Sequence, residues 1–342
     1  MTETIRRIVL ASRPAGAPTP SNFRLEEASL PDLPNGQVLL ETIYLSLDPY
    51  MRGRMSDAKS YADPIAIGEV MVGATVSRII QSRHRDWRQG DIVVAYSGWQ
   101  THALSDGSDL RRIDPAAAPI STGLGVLGMT GFTAYAGLRN IGQPKPGETV
   151  VVAAASGAVG SVVGQIARIR GARAVGIAGG PDKCGFVKNE LGFDAAIDHR
   201  APDFARQLAG ACPDGIDVYF ENVGGPVWDA VLPLLNNFAR VPLCGMISHY
   251  NDDGLAKPSV DRLPASMKAI QQKSITVRGF MNVEFIEQQP TFLEEAAAWI
   301  ADARLKYRED IVEGLENAPA AFIGLLQGFN FGKLVVRVSH EQ

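Results

Sequence analysis

The sequence predicts an α/β protein: a doubly wound parallel sheet joined to a second, barrel-like β unit. Three observations predict it. An uncharged, β-branched run, TVVVA at 149–153, leads into a small-residue turn, an amphipathic helix and a second apolar strand. Beyond that unit, strand-like and helix-like segments alternate as far as residue 302. Ahead of it, roughly the first 110 residues carry short β-like runs broken by Pro and Gly, with no long amphipathic helix between them.

The β-like runs of the first part fall at 5–10, 37–45, 70–80, 91–96 and 100–104, a spacing that suits a small barrel or sandwich. Among them lies LDPYMRGRM at 47–55, where Asp48, Tyr50, Arg52 and Arg54 stand among apolar residues next to a proline. Read alone, Arg52 and Arg54 are expected to be solvated loop charges. The segment 124–142 contains a small-residue helix, and the polar link QPKPGE leads into residue 149.

The turn after TVVVA reads Ala154, Ala155, Ser156, Gly157, Ala158, Val159, Gly160. Gly157 and Gly160 occupy the last two positions of a G-x-G-x-x-G fingerprint in which Ala155 replaces the first glycine. Val159, Val162, Val163, Ile166 and Ile169 then form one apolar helix face. A helix beginning there leaves backbone N–H groups unpaired at its positive dipole end, which suits a pyrophosphate. Which dinucleotide follows from the end of the next strand, at 173–178. NAD-binding units place an Asp or Glu there for the ribose hydroxyls, but the chain has no acid from 149 to 181. Gly179 and Gly180 leave room for a 2'-phosphate, and Lys183 can supply its countercharge, so NADPH is expected rather than NADH.

The alternation continues with a helix at 181–191, a strand at 195–197, a helix at 203–209 and a strand at 216–220 ending in Glu221 and Asn222. A helix at 226–235 and strands near 239–244 and 275–280 follow. Ligands of doubly wound sheets lie beyond the carboxyl ends of strands, so Asn222 and the stretch from Cys244 to Tyr250 are placed to meet a cofactor. Helices at 287–302 and 318–328 precede a last strand at 333–338, which can rejoin the barrel. The expected division is 1–128 with 309–342 for the barrel and 129–308 for the cofactor unit.

Composition narrows the partners. At 342 residues, 46% hydrophobic and 20% charged, the chain is long enough for two cores of ordinary globular character. A net charge of -4 offers no basic surface for nucleic acid and no polybasic membrane anchor. Cys184, Cys212 and Cys244 lack C-x-x-C spacing, which fits a reducing cytoplasm better than a disulfide framework. The N-terminal residues lack a signal-peptide core, and no run reaches membrane-spanning length, so a cytoplasmic protein is expected.

With the fingerprint, LDPYMRGRM, GMTGFTAY, ENVGG, CGMISHYN and NFGKLVVRV in view, the chain resembles the zinc-independent medium-chain dehydrogenases/reductases over nearly its whole length. Within them it is similar to the leukotriene/prostaglandin reductase group. The resemblance implies a GroES-like barrel joined to a Rossmann domain, a cleft between them, a homodimer built through the cofactor domains, and NADPH-dependent reduction of the C=C bond of α,β-unsaturated ketones or aldehydes. It implies a pyrophosphate turn at Ser156, Gly157, Ala158, Val159 and Gly160, and a 2'-phosphate site at Gly179 and Lys183. Further cofactor contacts are implied for Asn222, Cys244, Gly245, Ser248, Phe280, Met281 and Asn330. Tyr250 matches the tyrosine near the substrate carbonyl, and Tyr50 an aromatic lining the substrate site. Where animal and plant members carry a tyrosine near the 2'-phosphate, this chain reads Asp198, His199, Arg200, which makes His199 the candidate there.

The zinc-dependent relatives oxidise alcohols through a metal held by about three convergent Cys, His or Glu side chains. His84, His102, His199, His249 and His340 are scattered, and neither 45–55 nor 67–73 supplies a Cys or His, so no metal site is expected. Quinone reduction and a non-enzymatic NADPH-binding role remain as alternatives.

Overall fold

In the computed structural model, which describes residues 4–252 and 261–341, the chain divides into two compact units. One comprises Met1–Gly125, Tyr250–Asp253 and Glu309–Gln342; the other comprises Val126–His249 and Gly254–Arg308.

In the first unit, seven strands form one sheet. In spatial order, Glu309–Glu313, Lys333–Arg337, Val38–Ser46, Thr75–Ser82, Ile92–Ala95 and Arg111–Arg112 lie side by side, and His102–Ser105 also pairs with Val38–Ser46. The C-terminal strand Lys333–Arg337 thus returns to run antiparallel to Val38–Ser46. A separate antiparallel hairpin joins Thr4–Leu10 to Phe23–Ser29. Phe23 stacks on Trp99 at 5.6 Å between centroids, and Phe322 meets both rings edge-on, which fixes the centre of this core.

The second unit carries six parallel strands in the spatial order Ala195–Asp198, Arg173–Ala178, Thr149–Ala153, Ile216–Phe220, Leu235–Leu243, Thr276–Gly279. Thr149–Ala153 is buried at every position, as an uncharged central strand should be. The chain order reverses between this strand and Ile216–Phe220, so the carboxyl ends of those two strands flank the crevice where doubly wound sheets take their ligand. Helix Gly160–Ile169 buries Val162, Val163 and Ile166 against the sheet. At the far edge, Thr276–Gly279 is exposed at all four positions.

Candidate functional site

The turn after Thr149–Ala153 closes tightly. Ala154 adopts φ 53°, and its carbonyl accepts the N–H of Gly157 at 2.9 Å. A Cβ on Gly160 would stand 2.3 Å from that carbonyl oxygen and one on Gly157 3.2 Å from it, so glycine is obligatory at the first and favoured at the second. Ala155 serves where the fingerprint has its first glycine because Gly176 opposite makes room: a Cβ there would lie 2.7 Å from the Ala155 methyl. Among the described residues, the N–H groups of Ala158, Val159 and Gly160 find no acceptor, and Ser156 is buried beneath them. These donors and the helix dipole together suit a pyrophosphate.

Beyond Arg173–Ala178, the side chains of His199 and Arg200 converge on Gly179. A Cβ at Gly179 would lie 2.9 Å from His199 Nε2 and 3.1 Å from Arg200 Nε. Asp198 organises the corner by accepting the N–H groups of Gly180 and Arg200, both at 2.9 Å. Partial burial, then the neighbouring Arg200, lowers the His199 pKa, and Lys183 adds to the same field. Arg200, seen in the sequence only as part of Asp198, His199, Arg200, is therefore a candidate site residue, brought to Gly179 by a loop some twenty residues away. With the Asp198 carboxylate occupied by two backbone N–H groups and Arg200 and Lys183 close by, a multiply charged anion is the ligand this corner can take.

Asn222 Nδ2 donates to the carbonyl of Ala153 at 2.9 Å, tying together the two central strand ends. The next turn hangs from Glu221, whose Oε1 accepts the N–H of Val223 at 2.6 Å and of Gly224 at 2.9 Å. The Glu221 backbone carbonyl accepts Cys244 and Gly245 N–H, and Ser248 donates through both its N–H and its hydroxyl to Val223 O. Burial, and secondarily Glu221, pushes the Cys244 thiol up to about 12, so this cysteine is no thiolate nucleophile. Phe280 follows the edge strand and packs edge-on against Phe220 at 6.2 Å; Met281, next to it, is exposed.

Tyr50, Tyr250 and Asn330 belong to the first unit. Tyr250 groups there because Arg52 Nε donates to Asn251 Oδ1 at 3.1 Å, while Arg52 also reaches Gly16 O at 2.7 Å. This corrects the expectation of a solvated Arg52, which is buried and anchors two loops; Arg54, more exposed, bonds Asp63 O. Burial, then the nearby Asp48, raises the Tyr50 pKa, and Tyr96 and Tyr61 crowd the same phenol. Asp48 is itself buried against Lys333 Nζ at 2.6 Å. Asn330 Nδ2 turns onto Gly332 O at 2.9 Å.

The second unit therefore gathers the pyrophosphate turn, Gly179, Lys183, His199, Asn222, Cys244, Gly245 and Ser248 at the carboxyl side of one sheet, the build of an NADP-dependent oxidoreductase. Two family models match the chain, the N-terminal domain of oxidoreductase at residues 6–113 and zinc-binding dehydrogenase at residues 158–301. It is 56% identical over 337 residues to the NADPH-dependent curcumin reductase of Escherichia coli strain K12, covering 98% of this chain and 97% of that one. It is 41% identical to rat prostaglandin reductase 1, over 94% and 95% of the two chains. The crystal structure of CurA from Vibrio vulnificus in complex with NADPH superposes with a TM-score of 0.95 at 54% identity, over 98% and 99% of the chains. The chain belongs to the medium-chain dehydrogenase/reductase superfamily, in its prostaglandin reductase and curcumin reductase group. Although the second family model is described as zinc-binding, no group of three or more His, Cys, Asp or Glu among the described residues is placed to hold a metal ion.

Proposed function

We propose that the protein is an NADPH-dependent double-bond reductase acting on α,β-unsaturated ketones and aldehydes, curcumin-like enones among them. The observation that carries this is the cation-lined Gly179 corner in a chain 56% identical, almost end to end, to an NADPH-dependent curcumin reductase. The residues present fit the cofactor, because the N–H groups of Ala158, Val159 and Gly160 find no acceptor among the described residues and Gly179 lies bare beside His199 and Arg200. In this reading Ser156, Gly157, Ala158, Val159 and Gly160 hold the pyrophosphate. Lys183, His199 and Arg200 hold the 2'-phosphate, and Asn222, Cys244, Gly245, Ser248, Phe280, Met281 and Asn330 line the remainder. Residues 129–308 carry the cofactor, and 1–128 with 309–342 carry the substrate.

When bound, NADPH supplies a hydride from nicotinamide C4. Addition at the β-carbon of an enone moves charge onto the carbonyl oxygen as an enolate, and Tyr250 is assigned as the O–H donor that stabilises it. Protonation of the α-carbon then comes from solvent. Tyr50 lines the enone's site; its phenol, held protonated by burial and by Asp48, is a neutral wall rather than a base.

The exposed edge strand Thr276–Gly279 presents unpaired backbone, which supports a homodimer closed through the cofactor units. Three free cysteines suit a cytoplasmic location, and no helix among the described residues is long and apolar enough to cross a membrane.

Product analysis tests the reaction. NADPH deuterated at C4, incubated with a simple enone, should give the saturated ketone with deuterium on the β-carbon. An allylic alcohol deuterated at the carbinol carbon would overturn the assignment. Tyr250→Phe should lower kcat, by less than the roughly hundredfold known for lost oxyanion donors if a cofactor hydroxyl shares the role.

A further inference from the structure

We propose that Glu221 is a positioning residue of the cofactor site, its buried carboxyl oxygen holding the turn at 222–225. The inference rests on the NADPH-binding reading above, but its observations are independent of that reading. Glu221 is 2% exposed, at the end of Ile216–Phe220 beside the crevice. Every polar atom of the residue but one is engaged. Its N–H donates to Pro242 O at 3.0 Å, and its carbonyl takes Cys244 N–H at 2.9 Å and Gly245 N–H at 3.1 Å. Oε1 takes Val223 N–H and Gly224 N–H. Through that turn, Asn222 O receives Ile247 N–H at 3.1 Å and Val223 O receives Ser248 N–H at 3.1 Å. The two segments assigned to the cofactor, 222–225 and 244–248, are thus both hung on this one residue.

The turn needs such a hold. Gly224 and Gly225 sit at φ 77° and 55°, a left-handed pair with little intrinsic preference for one conformation. Without the acceptor, two N–H groups would lose their partner.

The remaining oxygen, Oε2, and the phenol oxygen of Tyr219, two residues earlier on the same face of the strand, are both buried, and the phenol acts on the carboxyl as a hydrogen-bonding neighbour. The titratable groups that bear on the carboxyl are Tyr219, on its own strand, and Cys244, at the end of the next. His249 belongs to the turn above, its ring 3.1 Å from where a Gly224 Cβ would stand. No Lys or Arg is among the groups acting on the carboxyl. Burying an isolated carboxylate without a countercharge is far costlier than burying the acid. Burial accordingly raises the Glu221 pKa, outweighing the two N–H donors that favour the anion. The Tyr219 phenol carries the proton that can reach Oε2, so these two buried oxygens serve one another and Oε1 stays free for the two N–H groups.

The test compares Glu221→Gln, which keeps an acceptor oxygen, with Glu221→Leu, which keeps bulk and loses the acceptor. NADPH dissociation constants, read by cofactor fluorescence on folded protein, should stay within about threefold for Gln and rise about tenfold or more for Leu, the scale of a buried donor left unmade. A Leu variant that loses thermal stability yet binds NADPH normally would reduce Glu221 to a structural residue and overturn the proposal. A Gln variant as impaired as Leu would show that the acceptor oxygen is not what holds the site and would overturn the proposal too. If the Leu variant does not fold, the Gln affinity still decides, a loss well beyond threefold counting against the proposal. Failure of the wild type to bind NADPH would instead sink the reading on which the inference rests.

Discussion

The amide Nδ2 of Asn222 lies 2.9 Å from the carbonyl oxygen of Ala153, joining neighbouring parallel strands at the point where the sheet's chain order reverses. One side chain therefore sets the width of the crevice mouth. Asn222→Ala removes the donor and should cost about 1 kcal/mol of stability, while Asn222→Asp sets a carboxylate against a carbonyl and should cost more. Both should weaken NADPH more than they weaken folding. Urea titration with a parallel cofactor titration checks this, and wild-type values for Asn222→Asp in both would remove the tie.

The phosphate corner gives a selective outcome. Arg200 is anchored by its own N–H to Asp198, which aims the guanidinium along Gly179 and Gly180. A charge-assisted contact contributes roughly 1.5 to 3 kcal/mol, so Lys183→Ala and Arg200→Ala should each weaken NADPH about ten- to a hundredfold and leave NADH nearly unchanged. Gly179→Glu, which restores the acid usual in NAD-binding units, should shift preference toward NADH. Parallel titrations with both cofactors decide it; equal losses would argue for general damage.

His199 adds a pH dependence whose sign can be worked out. In the free protein its pKa is lowered, chiefly by burial and then by Arg200. A bound phosphate raises it, so binding takes up a proton. Affinity is then fullest below the lowered free value and falls as pH rises toward the raised value of the complex. The window therefore opens below the imidazole reference of about 6.5. The 2'-phosphate's own ionisation, near 6, acts in the opposite direction, so the comparison with His199→Gln carries the information. The ratio of wild-type to variant affinity should decline as pH rises; a constant ratio would exclude the contact.

Much of this arrangement was legible in the sequence, and the exceptions have physical causes. Thr149–Ala153, uncharged and largely β-branched, is read directly because burial on both faces excludes polar residues, and Ile216–Phe220 is read from its four apolar or aromatic residues around Asp217. Phe23–Ser29 and Glu309–Glu313 escape notice because each alternates charged residues with few apolar ones, the pattern of an exposed or edge strand. Helix Leu263–Gln272 is equally silent: none of its residues is fully buried, and its packed side rests on Ile270 with the polar Ser266, too little apolar surface to mark a face. Arg52 and Arg200 were missed or misjudged for a different reason. The burial of the first and the approach of the second to Gly179 depend on loops distant in sequence, which composition and spacing do not report.

The last prediction concerns the barrel unit, where Lys333 and Asp48 meet with side chains only 5% and 4% exposed. Lys333 Nζ donates to Asp48 Oδ1 at 2.6 Å and to Leu47 O at 3.0 Å, while Ser46 gives its hydroxyl proton to the other Asp48 oxygen. The pair ties the C-terminal strand to the segment that carries Tyr50. A buried pair of this kind contributes little net stability, because desolvating both ions offsets their attraction. Breaking it from one side is another matter. Lys333→Met leaves Asp48 buried without a countercharge and should cost about 3 to 5 kcal/mol. It also removes the cation that opposes the upward shift of the nearby Glu309 carboxyl, so that acid should titrate still higher. Asp48→Leu strands the ammonium in the same way. The double variant Asp48→Leu, Lys333→Met strands neither ion and should be much closer to wild type than either single change, giving a coupling energy of opposite sign to the single costs. Urea denaturation of the four proteins provides the cycle. Additive losses would mean that the two residues act separately, and a Lys333→Met cost below about 1 kcal/mol would mean that water reaches Asp48. Because Asp48 also raises the Tyr50 pKa, the double variant should let that phenol ionise at lower pH than in the wild type, a shift that ultraviolet titration of tyrosinate can read against a Tyr50→Phe control.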